Sequence, residues 1–185
     1  MPELEIKRMK EKMEKAVEHL RKDLLGVRTG RAHPALVSEI KVDYYGAQTP
    51  ISQVGAISTP DARQIVITPW DKTAIKAVEK AIQASSLGIN PNVDGENIRL
   101  VIPELTGERR VELTKLVKKY AEDARIAVRN LRRDSNDTFR KMEKEGNISE
   151  DSMHDFLESI QKTTGEFIKS VDEIMAAKEK EILED

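Results

Sequence analysis

Arg125, Arg129, Arg132 and Arg133 place four guanidinium groups within the ten residues from Ala124 to Arg133. Guanidinium suits phosphate, because its planar fork of N–H donors can bond two oxygens at once. At roughly 100° per residue on a helix, the four fall within about 100° of one another. Tyr120, Ala124, Ala127, Val128, Leu131 and Thr138 point towards the other side. One face is thus expected to pack while the other offers cations to an anionic partner. The plainer reading is a solvated helix surface laced with ion pairs. Arg125, Arg129 and Arg133 repeat at four, like with like, which is mildly destabilising within one helix. That spacing predicts an arginine face without neutralising carboxylates.

The excess is local. The 185-residue chain carries a formal net charge of −2, with 35% charged and 38% hydrophobic residues. Residues 106–146 hold twelve basic and eight acidic residues, whereas residues 147–185 hold four and eleven. Residues 1–29 carry +2 and residues 30–105 carry −1. A basic helix therefore precedes an acidic one, and the two either pair with each other or leave the basic face to an anionic partner. No cysteine is present, so no disulfide or thiolate metal site forms. No apolar run approaches the roughly 20 residues that span a bilayer. The N-terminal MPELEIKRMKEKMEK lacks both an apolar signal core and an Arg-rich, acid-poor leader, and the bacterial cytoplasm is the expected compartment.

Three amphipathic stretches must position the arginines. Ile6, Met9, Met13, Ala16, Val17, Leu20, Leu24 and Val27 recur at threes and fours up to Thr29-Gly30. A second seam passes through Leu113, Leu116, Val117, Tyr120, Ala124, Ala127, Leu131, Thr138 and Met142 and ends at Gly146-Asn147. A third follows Ser149, a weak cap because Ser152 stands where an acid would complete the box, and uses Met153, Phe156, Leu157, Ile160, Phe167, Ile168, Val171, Ile174 and Ile182. Long helices joined by a short turn predict an antiparallel three-helix bundle.

Between the first and second seams the period becomes two. Ile40, Val42 and Tyr44 alternate with Lys41 and Asp43, Tyr45-Gly46 turns the chain, and Gln64–Thr68 and Ile98–Ile102 read as further strands. Asp71 is placed to cap a helix of about four turns, ending near Leu87-Gly88, while Asn90–Asn92 and Asp94–Asn97 read as turns. The expected fold class is α+β: a bundle of residues 1–29 and 106–185 with a small β/α/β domain, 30–105, inserted through two connections. These are Thr29, Gly30 and Arg31, and Leu105, Thr106 and Gly107, candidate hinges because each contains glycine.

Catalytic chemistry has no candidate. Glycine-rich phosphate loops are absent. His19, His33 and His154 stand apart and are expected at the surface, and acid pairs such as Glu122-Asp123 and Glu150-Asp151 lie on charge-rich helices. No enzyme, metal or cofactor is expected. Trp70, between a strand end and a cap, either anchors a partner or, as is more expected, packs beneath that turn; Tyr44 and Tyr45 pose the same choice, and one ring should face inward and one outward.

Six segments in order resemble the ribosome recycling factor family: Arg28-Thr-Gly-Arg-Ala32; Tyr44-Tyr-Gly46 with Thr49-Pro50; Ile67-Thr-Pro-Trp-Asp-Lys72; Leu87-Gly-Ile-Asn-Pro91; Ile102-Pro-Glu-Leu-Thr106 followed by Glu108-Arg-Arg110; and Val128-Arg-Asn-Leu-Arg-Arg133. The resemblance spans essentially the whole chain. It implies an L-shaped monomer of bundle plus inserted domain. It also implies binding to large-subunit ribosomal RNA, and action with elongation factor G and its GTP to split the complex left after translation termination.

Carried over by motif, Arg110, Arg129 and Arg132 are the implied ribosomal RNA contacts. Arg125 and Arg133 are neighbours that add field, and Arg28 and Arg31 are weaker candidates near the connection. On an ideal helix Arg110 falls outside the Arg125–Arg133 face, so it touches another RNA segment or braces the junction. Two other classes stay open on residues alone. A helical adaptor would expose apolar seam positions, and an RNA-acting enzyme would need acids near the arginines, where only Glu122 and Asp123 stand.

Overall fold

The computed structural model describes residues 1–184, which separate into two compact units. The first comprises Met1–Leu24 and Thr114–Lys180; the second comprises Leu25–Leu113 with the residues from Glu181.

The first unit is a helical bundle built from the greater part of α1 (Pro2–Leu25), α4 (Gly107–Lys144) and α5 (Glu150–Glu184). Its core takes Met9 and Met13 from α1, Val128 and Phe139 from α4, and Met153 and Ile160 from α5. Long, branched and aromatic side chains at helical spacing leave one apolar stripe per helix, and three stripes close on one another. The rings of Phe139 and Phe156 stack with centroids 4.8 Å apart. Contacts 139–156, 132–161 and 125–172 retreat along α5 as they advance along α4, so these helices run antiparallel.

Helix ends follow the local chemistry. α1 stops at Leu25, short of the expected Thr29, where Gly26, a poor helix former, interrupts the seam. Val27 keeps the period and is buried, yet lies outside the helix. At the end of α4, Gly146 takes φ 75°, its N–H bonds Glu143 O at 3.0 Å, and Asn147 N–H bonds Met142 O at 2.9 Å. That is the paired pattern of a glycine-closed helix. Ser149 caps α5, its hydroxyl oxygen accepting from Ser152 N–H at 3.0 Å, so the weak cap read from sequence does form.

The second unit holds α2 (Ala35–Ser38), the hairpin β1 (Lys41–Tyr44) and β2 (Ala47–Pro50), a four-stranded antiparallel sheet and α3 (Ile75–Ala84). The sheet order is β3 (Gly55–Asp61), β4 (Gln64–Pro69), β6 (Asn97–Val101), β5 (Asn92–Asp94). Ile65, Ile67, Ile98 and Leu100 from the two central strands meet Val78 and Ile82 of α3 in one core with Val37, Val42 and Ile51. β2, β3, β5 and α2 were not expected. β3 and β5 are edge strands with mainly exposed residues, so pairing with β4 and β6 holds them and no hydrophobic alternation marks them. Asp71 does cap, its carboxylate accepting from Thr73 N–H at 2.9 Å, but first over the 3₁₀ turn Lys72–Ala74. α3 itself is shorter than the expected four turns.

Trp70 corrects another expectation. Its backbone N–H bonds Val54 O at 3.2 Å, while its side chain stands out, the residue being 70% exposed. Tyr44 is half-buried and Tyr45 exposed, matching the expected alternation. His19, His33 and His154 all lie at the surface.

Candidate nucleic-acid interface

All four clustered arginines project from α4, and their surroundings differ. Arg125 is held closely: its side chain is 16% exposed, its Nε and Nη2 donate to Asp172 Oδ1 at 2.8 and 2.6 Å, and its Nη1 donates to Glu122 Oε2 at 3.0 Å. Burial disfavours its charged form, but the hydrogen bonds and charges of Asp172 and Glu122 outweigh that and raise its pKa. Arg129 Nη1 reaches Glu122 Oε1 at 3.2 Å. Arg132 Nη1 meets Gln161 Oε1 at 3.4 Å, and its Nε is buried with no acceptor. Arg133 is exposed and has no hydrogen bond or ion pair among the described residues.

The expectation of an arginine face without neutralising carboxylates is therefore corrected. Glu122 lies three residues before Arg125 and serves two arginines, and Asp172 comes from the acidic helix α5. Arg125 belongs to the bundle. Arg129, Arg132 and Arg133 keep N–H donors beyond these contacts, since a guanidinium carries five. The helical repeat extends their side with Lys115 and Lys119, both exposed and without an ion pair among the described residues. Ile126, 47% exposed, sits among them, three residues before Arg129 and seven before Arg133. Sequence reasoning named Glu122 only as an acid near the arginines, not as their ion-pair partner, and passed over Ile126. The three-residue spacing from Glu122 to Arg125 was the available signal for the first, and an apolar residue at the centre of a charged arc for the second.

The remaining candidates lie in the second unit. Arg110 Nη1 donates to the backbone oxygens of Ile182 and Leu183 at 2.9 and 2.8 Å, and its Nε reaches Leu105 O at 3.5 Å. It thereby satisfies carbonyls at the end of α5 that lack helical partners, where a cation also suits the helix dipole. Arg28 is partly buried, and burial, then the nearby charge of Arg109, lowers its pKa. Its Nε has no acceptor. Arg31 N–H lies 3.4 Å from Thr29 Oγ1.

Of the residues expected to connect the two domains, Thr29, Gly30 and Leu105 are buried, and Thr106 caps α4 by accepting from Arg109 N–H at 3.1 Å. Chain on either side is pinned to the β3–β4 turn: Ala32 N–H bonds Ala62 O, Ile102 N–H bonds Arg63 O, both at 2.7 Å, and Arg63 pairs with Glu104 at 2.6 Å. Among the described residues no His, Asp and Glu cluster is arranged to hold a metal, and no helix is long and apolar enough to cross a membrane.

A bundle helix with a one-sided run of arginines and lysines is chemically suited to nucleic acid, and comparison with known proteins identifies the lineage. The family model for ribosome recycling factor matches residues 20–183. The chain belongs to the ribosome recycling factor family. Ribosome-recycling factors from Syntrophomonas wolfei and Bacillus licheniformis are 57% and 53% identical to it over 174 and 175 residues, covering 94% and 95% of each chain. A solution structure of a ribosome recycling factor superposes with a TM-score of 0.81 at 46% identity, covering 100% of this chain and 98% of that one. A further match has a TM-score of 0.70 at 43% identity and covers 99% of both chains. It comes from models of the T. thermophilus ribosome recycling factor and the E. coli elongation factor G bound to the E. coli post-termination complex. In this family member the arginines of Val128–Arg133 stand on the helix whose opposite face builds the bundle core.

Proposed function

We propose that this chain recycles ribosomes after translation termination in the cytoplasm. The bundle binds ribosomal RNA of the large subunit through α4, and elongation factor G, with its own GTP, acts with it to separate the post-termination complex into subunits. Family membership supports this reading, as does a structural match in which a ribosome recycling factor and elongation factor G share one such complex. The observation that carries the RNA contact is the division of labour on α4. Arg125 is taken up by Asp172 and Glu122, whereas Arg129, Arg132 and Arg133 retain donors on the same side as Lys115 and Lys119.

Phosphate contacts of this kind supply affinity that falls as salt rises, and an irregular RNA surface is recognised mainly through its shape. A bundle carrying them is stiff, and bending at the segments 29–31 and 105–107 would let a push on the inserted residues 30–105 strain the complex. Arg110 and Arg28 contribute to RNA binding less directly, because Arg110 already holds α5 carbonyls and Arg28 is partly buried. Hydrolysis belongs to the partner, and this chain contributes binding and leverage without a catalytic step of its own. Co-sedimentation with ribosomes over a salt series, followed by subunit separation with elongation factor G and GTP, tests the reading. Binding indifferent to salt and to Arg132→Glu would count against it.

A further inference from the structure

The hairpin turn of the second unit is built from an unsuitable residue. Tyr45 takes φ 50° and Gly46 φ 81°. A two-residue turn of this kind prefers asparagine, aspartate or glycine at its first position, because both central residues have positive φ. A bulky aromatic there is a backbone outlier, and such strain gathers at functional sites. Nor is the ring sequestered: Tyr45 is 80% exposed. It is fixed instead, its hydroxyl donating to Asp71 Oδ2 at 2.7 Å and its ring lying edge-on to Tyr44 with centroids 4.6 Å apart.

Asp71 is itself anchored. Its other oxygen accepts from Thr73 N–H and Thr73 Oγ1 at 2.9 and 2.7 Å. The residue before it in the chain is Trp70, 70% exposed. Lys72, the cation nearest in sequence, is turned away into a 2.6 Å pair with Glu96, so the Asp71 carboxylate has no cationic partner among the described residues. One exposed ring is therefore bonded to this hydrogen-bonded anion, and a second exposed aromatic residue precedes it in the chain. Single exposed apolar residues are ordinary. Here Tyr45 is strained and hydrogen-bonded to a carboxylate that Thr73 also holds.

We propose that Tyr45, Asp71 and Trp70 form a docking site for a lysine or arginine side chain on the surface of elongation factor G. The chemistry fixes the sign of the occupant. An unpaired carboxylate repels phosphate, and residues 30–105 carry a net −1, so nucleic acid is disfavoured here while α4 attracts it. A protein cation gains both the carboxylate and the faces of tyrosine and tryptophan rings, where cation–π attraction operates. Tryptophan and tyrosine are also the side chains on which protein contacts most often depend. The choice of elongation factor G rests on the function proposed above.

The test is subunit separation as a function of elongation factor G concentration, with ribosome affinity measured separately without that factor. Tyr45→Asn keeps a residue the turn favours and removes the ring, and Trp70→Thr removes the second. Asp71→Asn keeps a capping side chain and removes the charge. The double variant Tyr45→Asn/Trp70→Thr is expected to raise the half-saturating concentration of elongation factor G about tenfold or more, as loss of a binding hot spot does. Asp71→Asn should raise it less, and Trp70→Phe should stay near wild type. Ribosome affinity without elongation factor G should stay within about twofold, because no α4 cation is touched.

Unchanged half-saturation in the double variant would overturn the proposal. So would an equal loss of ribosome affinity without elongation factor G, which would assign the rings to the ribosome itself. Absence of splitting by the wild-type chain would instead remove the underlying function.

Discussion

The guanidinium of Arg125 closes on the carboxylate of Asp172, with Nε and Nη2 both donating to Oδ1 at 2.8 and 2.6 Å. This pair joins the basic helix to the acidic one. It separates one arginine of the cluster, which holds the bundle together, from three whose donors remain available. Arg125→Ala should therefore lower stability by about 1–2 kcal/mol in a urea melt, a modest figure because Asp172 is half exposed and solvent screens the pair. Its effect on ribosome binding should be smaller than that of Arg132→Ala.

Removing a cation that touches phosphate reduces the slope of log affinity against log salt by about one. Arg129→Ala and Arg133→Ala are each expected to do so in co-sedimentation. Ile126 lies among the same cations but carries no charge. Ile126→Ala should weaken binding while leaving the slope unchanged, since an apolar contact releases no counterions. A slope altered by Ile126→Ala would mean that the residue acts by positioning the arginines.

Asp71 titrates at about 2, held down first by the Tyr45 hydroxyl and then by the Thr73 side-chain and backbone donors. Its folded pKa lies below the ordinary carboxylate value. Its contribution to stability is thus present above that ordinary range and is lost as pH falls through about 2. Carboxyl NMR titration should give a midpoint near 2. Tyr45→Phe should move it upward, and an unmoved midpoint would contradict the hydrogen bond.

A Cβ placed on Gly55 would lie 2.6 Å from Thr68 O and 2.7 Å from Pro69 Cα, both backbone atoms. Neither can swing aside as a side-chain tip can. Gly55→Ala is expected to cost about 1–3 kcal/mol through forced separation of β3 from β4. Chemical denaturation followed through Trp70 fluorescence should detect it, since Trp70 N–H bonds Val54 O next to this contact.

The bundle was legible because its signal is periodic and local. Met9, Met13, Met153 and Ile160 recur at helical spacing and do enter one core. Phe139, fully buried, escaped a seam drawn through Thr138, seven residues after Leu131. Steps of seven drift about 20° per heptad on a straight helix, and the core face had moved on. β3 and β5 were illegible for the opposite reason, being polar edge strands created by their neighbours. Trp70 was misplaced because its position between a strand end and a cap was read as packing beneath the turn, whereas its side chain stands out.

In the candidate interface, the clustering of Arg129, Arg132 and Arg133 was visible in sequence. The partners of Arg125 and Arg110 were only partly so. Asp172 lies 47 residues from Arg125, and Ile182 lies 72 from Arg110. Glu122, three residues away, could have been read directly.

In the function proposed above, the α4 arginines bind ribosomal RNA so that elongation factor G can split the complex. Arg132 tests it best, because its Nη1 makes one long contact, to Gln161, and its Nε has no acceptor. Ribosome affinity and subunit separation should be measured for Arg132→Glu beside wild type, with elongation factor G and GTP. Affinity is expected to fall at least about tenfold, as when a charged contact is reversed, with separation restored only at high factor concentration. Full affinity together with full splitting activity would contradict it.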